Sequence, residues 1–229
     1  MGEYYDWVNI TKKQYICPCD FDCGNKVYET TSVGNSFLAA LYELLDTDWK
    51  GDEIVFLGDE TEISDHEQNK TMRQLHDKRK EWGEPGYDSD YVYECYRNVS
   101  GLFKAAEKEI REEIGYILSD HREGREVTNQ YGIDLDDPFK GLFIREGKQF
   151  RFIINETKRE YYEIERLPIK SYTKNAETLT YQSDPLPILF AYGRTASENF
   201  TGSWIGDTIR PSNEEPPEGY RDVGTVYRW

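Results

Sequence analysis

The feature that most constrains this fold is a stretch of eight residues that occurs twice. Residues 8–15 read Val-Asn-Ile-Thr-Lys-Lys-Gln-Tyr, and residues 154–161 read Ile-Asn-Glu-Thr-Lys-Arg-Glu-Tyr. Asn tolerates the left-handed backbone conformation of a tight turn and can hydrogen-bond to its own turn. Apolar and aromatic residues flank both copies. Each copy therefore predicts a strand, a polar turn and a second strand.

A second pattern follows each copy, in the same order along the chain. Residues 49–54 read Trp-Lys-Gly-Asp-Glu-Ile, and residues 204–209 read Trp-Ile-Gly-Asp-Thr-Ile. The separations differ, being 40 residues from Asn9 to Trp49 and 49 residues from Asn155 to Trp204. Two ordered matches are hard to obtain by chance. We interpret them as an internal duplication in which the loops have diverged.

This combination resembles a family of intracellular proteins of bacteria and some protists. In that family an Asn-x-Thr-Lys-Lys-x-Tyr-Ile hairpin precedes a Trp-x-Gly-Asp-x-Ile segment. The resemblance covers about 50 residues at each end of the chain. The first copy is the more similar, since Ile16 follows Tyr15, whereas Pro211 predicts an early end to the last strand of the second copy. The resemblance implies an architecture and no known activity.

Hydrophobic spacing predicts helices between these motifs. One covers residues 36–45, with Asn35 or Ser36 as its N-cap, and another covers residues 70–82. The longest predicted helix covers residues 90–118, where apolar residues recur at intervals of three and four. These apolar residues are Val92, Tyr96, Val99, Phe103, Ala106, Ile110, Ile114 and Ile117. We expect one continuous helix of about 25 residues.

The predicted fold class is α+β. Two pseudo-repeats, each with a β-hairpin, a helix and a strand, are joined by a helical insertion that contains the long helix. We divide the chain into a first repeat at residues 1–65, the insertion and a connecting loop at 66–148, and a second repeat at 149–229. In the second repeat the predicted helix, at 186–193, is shorter, and residues 226–229 are apolar enough for an edge strand.

Charge and composition narrow the classes of partner. The chain has 44 acidic and 28 basic residues, a formal charge of -16, and 14% aromatic residues. Phosphate backbones and anionic lipids repel such a chain, so we expect no direct nucleic-acid partner and no membrane partner. The sequence shows no signal peptide and no membrane-spanning run, which favours a cytoplasmic location. The aromatic content predicts a packed core or a binding surface.

The four cysteines do not follow a metal-binding pattern. Cys17, Cys19 and Cys23 are clustered and Cys95 is distant, with no histidine near the cluster. Structural zinc sites generally use paired Cys-x2-Cys or Cys/His ligands. We therefore expect four reduced thiols, no metal and no other cofactor.

Repeated polar and aromatic positions provide the candidate binding residues. Asp52 and Asp207 follow a glycine at a strand start, and a pseudo-twofold arrangement could bring their carboxylates together to bind a cation or share a proton. A Gly-Asp pair before a strand is also ordinary turn chemistry. The other candidates are repeated basic residues, repeated tryptophans and two tyrosines of an acidic segment: Lys12, Lys158, Trp49, Trp204, Tyr87 and Tyr91.

No catalytic motif is present, and the three histidines are scattered among charged residues. The leading hypothesis is therefore a cytosolic, non-catalytic protein-binding module. It would inhibit a basic or nucleic-acid-binding protein, as immunity and anti-defence inhibitors do, and its charge would steer association. The competing hypothesis is an enzyme, or a protein that binds a small ligand or metal, with its site between the two repeats.

Overall fold

The computed structural model describes residues 3–174, 177–194 and 199–224. These residues form an α+β fold, as the sequence predicts. The helices are α1 (Ser36–Asp46), α2 (Lys70–Trp82), α3 (Asp88–Cys95), α4 (Glu107–Arg122) and α5 (Leu186–Phe190). Within the described ranges, no helix has the length and apolar character needed to cross a membrane.

The strands form three sheets. The largest has, in spatial order, β10 (Asn199–Thr201), β9 (Ala191–Arg194), β3 (Ile54–Gly58), β1 (Tyr5–Asn9), β2 (Gln14–Ile16) and β4 (Arg97–Asn98). The second has β11 (Ile209–Ser212), β5 (Phe152–Asn155), β6 (Glu160–Glu163) and β12 (Arg221–Asp222). The third is a hairpin of β7 (Ile169–Lys174) and β8 (Glu177–Gln182).

Both predicted hairpins are confirmed, and their neighbouring strands follow the same order. Strand β1 pairs antiparallel with β2 and β3, and β4 then adds in parallel to β2. Strand β5 pairs antiparallel with β6 and β11, and β12 adds in parallel to β6. Lys13 and Arg159 occupy matching turn positions, with φ angles of 54° and 55°. This agreement supports a duplication, whose evolutionary origin stays a prediction.

The predicted single helix at residues 90–118 is wrong. The chain instead forms α3, the short strand β4, two short 3-10 turns and α4. Helix α3 ends because Tyr96 adopts an extended conformation, and the amide of Arg97 then donates to the carbonyl of Lys13 at 3.0 Å. All eight apolar residues of the predicted helix are nevertheless buried. The periodicity identified core residues but not the backbone that carries them.

The two halves of the chain share one core. On one face of the six-stranded sheet, the indole of Trp7 stacks on Phe56 with ring centroids 4.8 Å apart and lies 5.7 Å from the ring of Phe190 in α5. On the other face, Val8 and its neighbours pack against α2 and α3. Strands β9 and β10 come from the last third of the chain, and β9 pairs with β3. These contacts cross the boundaries of the three-part domain division, which stays a prediction.

Three predictions for the second half have different outcomes. Pro211 does not shorten its strand, because it lies within the edge strand β11 opposite Ile153, where a missing N–H is tolerated. The short predicted helix ends at Phe190, and Gly193 belongs to β9. The edge strand predicted at residues 226–229 lies outside the described residues.

Cys17 and Cys19 are joined by a disulfide, so the prediction of four reduced thiols is wrong for this pair. A 3-10 turn at residues 18–21 curls the chain directly after β2. The turn brings the two cysteine Cα atoms to 5.4 Å, within the range that a disulfide spans. Cys23 and Cys95 carry free thiols, as predicted.

Candidate functional site

Asp52 lies just before β3 and links it to the end of β1 and to the turn of the first hairpin. The buried side chain of Asn9 donates from Nδ2 to Asp52 Oδ2 at 2.8 Å, and its Oδ1 accepts the backbone N–H of Lys12 at 2.8 Å. The Lys12 ammonium lies 3.4 Å from the same Asp52 oxygen. Gly51, with φ at 78°, allows the turn that places Asp52 there. This cluster satisfies the polar groups of a tight turn.

The second hairpin repeats the cluster. Asn155 Nδ2 donates to Asp207 Oδ2 at 2.8 Å, and Asn155 Oδ1 accepts the backbone N–H of Lys158 at 2.9 Å. The Lys158 ammonium lies 3.2 Å from Asp207. Asp207 therefore has an asparagine and a lysine of its own hairpin as partners, as Asp52 does. Each predicted aspartate is engaged within its own hairpin.

Most of the predicted aromatic residues are inside the protein. Trp49 and Trp204 are fully buried, and Tyr91 is buried against Trp82 and Tyr96. Tyr87 is 38% exposed at the start of α3. Of these four candidates, Tyr87 alone presents a substantial surface to a partner.

A pocket of about 280 Å³ lies at the open end of the first hairpin. Its walls come from β1, β2, the turn after β2, the segment after β3, helix α3 and strand β4. We call it the acidic pocket, because three carboxylates line it and none of its described lining residues is Lys, Arg or His. Its main chemical groups belong to Asp6, Asp20, Asp59, Tyr4, Tyr15 and Tyr93.

Asp6 is a carboxylate at an inward position of a strand. It shares a face of β1 with Val8, whose side chain belongs to the apolar cluster beneath α2 and α3. The Tyr93 hydroxyl donates to Asp6 Oδ2 at 2.7 Å, and no other described group donates to this carboxylate. Burial raises the pKa of Asp6 to about 7, and the charges of Asp20 and Asp59 add to the increase.

The other two carboxylates are held in different ways. Asp20 is buried and accepts from Asn98 Nδ2 at 2.9 Å and from the Tyr131 hydroxyl at 3.2 Å. Burial raises the pKa of Asp20 as well. Asp59 is partly exposed, and its Oδ1 accepts the backbone N–H of Tyr4 at 2.9 Å. The pocket therefore has two buried carboxyl groups, Asp6 and Asp20, and a partly exposed one, Asp59.

Aromatic rings complete the pocket wall. The rings of Tyr15 and Tyr93 meet edge to face with centroids 5.8 Å apart. Burial raises the pKa of both phenols, so they remain protonated at neutral pH. Tyr4 is 51% exposed and also lines the pocket. Rings beside carboxylates form the kind of surface that attracts an organic cation.

The second hairpin has an apolar residue where the first has Asp6. Trp7 lies opposite Ile16 and Ile153 lies opposite Tyr162, so Phe152 corresponds to Asp6 in the hairpin register. Phe152 is buried and contacts Tyr161, the counterpart of Tyr15, with ring centroids 6.0 Å apart. The hairpin therefore accepts an apolar residue at this position, and folding does not require a carboxylate there.

Asp6 is not among the residues predicted from the sequence, although the sequence carries a signal. A carboxylate in the run Tyr5-Asp6-Trp7-Val8 interrupts an otherwise apolar strand, which is a local inconsistency typical of functional positions. His76 is not among the predicted residues either, and its ring nitrogens lie 2.9 Å from Asp88 and 3.1 Å from Asp65. That histidine connects α2 to the start of α3 and to the segment that precedes α2.

The carboxylates of the acidic pocket do not converge on a point. Within the described ranges, no group of three or more His, Cys, Asp or Glu side chains is arranged to hold a metal ion. Carboxylates that are spread around a pocket suit a larger cation with several hydrogen-bond donors.

No known protein family matches the chain, and neither a curated protein nor a solved structure matches it. The acidic pocket and the charge of the chain are therefore the features that bear on function.

Proposed function

We propose that this protein is a non-catalytic binding module that receives a cationic side chain of a basic protein partner in the acidic pocket. The observation that carries the proposal is the environment of Asp6. Its carboxylate is buried, has one hydrogen-bond donor among the described residues, and has Asp20 and Asp59 rather than a cation nearby. A buried charge without a counter-ion is costly, and an entering cation would compensate it.

Size and shape favour a single side chain as the ligand. The pocket volume of about 280 Å³ lies just below the range of pockets for drug-sized molecules. A guanidinium group is planar, carries five N–H donors and stacks on aromatic rings. The phenol rings of Tyr15 and Tyr93 and the separated carboxylates of Asp6 and Asp20 suit such a group. We therefore propose arginine as the preferred ligand.

The charge of the whole chain extends the proposal to the partner. A formal charge of -16 attracts a basic surface over distances longer than a direct contact, and it raises the rate of association. A basic, nucleic-acid-binding protein is the partner class that this charge favours. Inhibition of such a partner in the cytoplasm is the physiological role that we propose. Among the contacts described above, none favours the alternative of a site built on Asp52 and Asp207.

The direct test compares two probes that differ in charge but hardly in shape. N-acetylarginine amide carries a guanidinium, and N-acetylcitrulline amide carries a neutral urea. By isothermal titration calorimetry at pH 8, we expect the protein to bind the arginine probe and to discriminate against the citrulline probe. Replacing Asp6 by Asn should weaken binding at least about tenfold, since it removes a charged acceptor.

A matched variant controls for net charge. Asp77→Asn makes the same change at an exposed position of α2, outside the acidic pocket, and should bind the arginine probe as the wild type does. Equal affinity for both probes, or wild-type affinity in Asp6→Asn, would overturn the proposal.

The partner itself can be sought by co-purification from the native host at low and high salt. A basic protein that is retained at low salt, released at high salt and lost with an Asp6→Asn bait would match the proposal. A partner that Asp6→Asn and wild-type baits retain equally would contradict the role of the pocket.

A further inference from the structure

We propose that the Cys17–Cys19 disulfide is a reversible redox switch for the acidic pocket, an inference that rests on the proposed function. Both cysteines line the pocket. Cys19 is exposed and Cys17 is partly exposed, so a reductant in solution can reach the bond. The next residue, Asp20, supplies one of the pocket carboxylates.

The position of this disulfide does not suit a stabilising role. A disulfide that closes a long loop restricts the unfolded chain most, and Cys17 and Cys19 are separated by Pro18 alone. Exposed disulfides are the ones most readily reduced. In cytoplasmic proteins, disulfides are rare and usually serve redox sensing or catalysis. The proposed cytoplasmic location therefore fits a bond that opens and closes.

The disulfide also constrains the turn that carries Asp20. Backbone hydrogen bonds also hold the turn at residues 18–21: the amides of Asp20, Asp22 and Cys23 donate to the carbonyls of Cys17, Cys19 and Pro18 at 3.2, 3.3 and 3.1 Å. The ring of Phe21 anchors the end of the turn in the core. Opening the disulfide removes the covalent link across the turn. The hydrogen bonds from Asn98 and Tyr131 still hold the Asp20 carboxylate, but the pocket wall at Cys17 and Cys19 is then less fixed when a cation arrives, and the affinity for the cation falls.

The reductant is a dithiol, supplied in the cell by a dithiol protein and in vitro by dithiothreitol. A thiolate of the dithiol attacks the exposed Cys19 sulfur, the S–S bond breaks, and the Cys17 thiolate leaves and takes up a proton. The second thiolate of the dithiol then attacks the mixed disulfide and releases Cys19 as a thiolate, which is protonated. The dithiol is oxidised by two electrons to its disulfide, and the protein gains two thiols. The same exchange in reverse closes the bond: a disulfide protein is the oxidant, takes up the two electrons and is released as a dithiol.

The test measures binding of N-acetylarginine amide to air-oxidised and dithiothreitol-reduced protein at pH 8. We expect reduction to weaken binding about 3- to 10-fold, the order of effect that follows from loosening one segment of a site. The double variant Cys17→Ser/Cys19→Ser should show the same weak binding with and without dithiothreitol. Cys23→Ser, which alters a neighbouring free thiol outside the pocket lining, should respond to dithiothreitol as the wild type does.

A second measurement separates failure of this inference from failure of the proposed function. Hydrogen exchange of the Asp20 and Asp22 amides requires no ligand and should become faster on reduction. If the oxidised protein does not bind the probe, the proposed function fails, whatever the exchange result. If affinity and amide exchange are the same in the oxidised and reduced protein, or if mass spectrometry finds no Cys17–Cys19 bond after air oxidation, the redox switch is wrong.

Discussion

At the scale of single residues, the two hairpins differ most informatively at Asp6 and Phe152. Both residues occupy the same place in the hairpin register and both are buried. One is a carboxylate whose pKa is raised to about 7, and the other is an aromatic ring. A chain that can use phenylalanine there has no structural need for a buried charge, and this contrast is the reason to assign a function to Asp6.

The first prediction concerns the stability cost of the Asp6 charge. A carboxyl group with a raised pKa in the folded state favours folding most below its unfolded pKa of 3.8, and that contribution is lost as the pH rises through about 7. Asp6→Asn keeps an acceptor for Tyr93 and removes the charge. The free energy of unfolding of the variant, relative to wild type, should be about 2 kcal/mol higher at pH 8 than at pH 5.

Urea unfolding of both proteins at the two pH values measures this difference. Asp77→Asn again serves as the exposed control. Its free energy of unfolding relative to wild type should change much less between pH 5 and pH 8 than that of Asp6→Asn. A relative stability of Asp6→Asn that does not depend on pH would mean that Asp6 titrates normally.

Residues whose role is local were predictable, whereas those whose role depends on distant packing were not. The Asn35 cap follows from sequence because its side chain accepts the N–H of Leu38, three residues away. Asp6 becomes a buried charge because α3 places Tyr93 beside it, 87 residues along the chain. The apolar run around Asp6 marks the residue as unusual, but no local pattern reports its contact with Tyr93.

At the scale of elements, each hairpin turn is held by the hydrogen bonds of one buried asparagine, Asn9 or Asn155. The second prediction is that Asn9→Ala and Asn155→Ala each lower the free energy of unfolding by roughly 2–4 kcal/mol, because each loses a hydrogen bond to a carboxylate and leaves a turn N–H without its acceptor. Lys12→Ala should cost less than about 1 kcal/mol, since the Lys12 side chain is 42% exposed.

Thermal and urea denaturation of the three variants measure how much each side chain stabilises its turn. A loss for Lys12→Ala as large as that for Asn9→Ala would show that the ion pair, rather than the asparagine, holds the turn. Very different losses for Asn9→Ala and Asn155→Ala would show that the two turns, despite matching contacts, contribute differently to the fold.

The two hairpins share a third repeated pattern, which is not among the repeats predicted from the sequence. Residues 96–99 read Tyr-Arg-Asn-Val and residues 220–223 read Tyr-Arg-Asp-Val, and each segment adds a short parallel strand to its hairpin. Arg97 pairs with Gln14, and Arg221 pairs with Glu160 at the matching position. The first copy lies inside an apolar pattern of helical spacing, which concealed it. Backbone pairing with the hairpin took precedence over that periodicity.

At the scale of the whole molecule, the last third of the chain completes the core of the first third. Asp184, which is buried, accepts hydrogen bonds from the hydroxyls of Tyr42 on α1 and Tyr162 on β6. Phe190 fills the core beside Trp7. A sequence can indicate two similar halves, but it does not report how each half packs against the other, since those contacts are long-range.

The third prediction is that residues 1–148 do not fold alone. Without the last third, β3 loses its neighbour β9, and the core loses Phe190. The fragment should show no cooperative thermal transition by circular dichroism and poor dispersion in its amide NMR spectrum. Adding residues 149–229 in trans should restore part of both signals. A cooperative transition of the fragment alone, near the melting temperature of the full chain, would favour independent domains.

The central claim, that the acidic pocket receives a cation at Asp6, is tested most directly by the pKa of Asp6 itself. Carbon-13 NMR of the side-chain carboxyl should give a pKa of about 7 in the free protein. Saturating N-acetylarginine amide should lower that pKa by at least about one unit, because a nearby cation favours the ionised form. N-acetylcitrulline amide should leave it unchanged. A free-protein pKa near 4, or a pKa that the arginine probe does not move, would contradict the account.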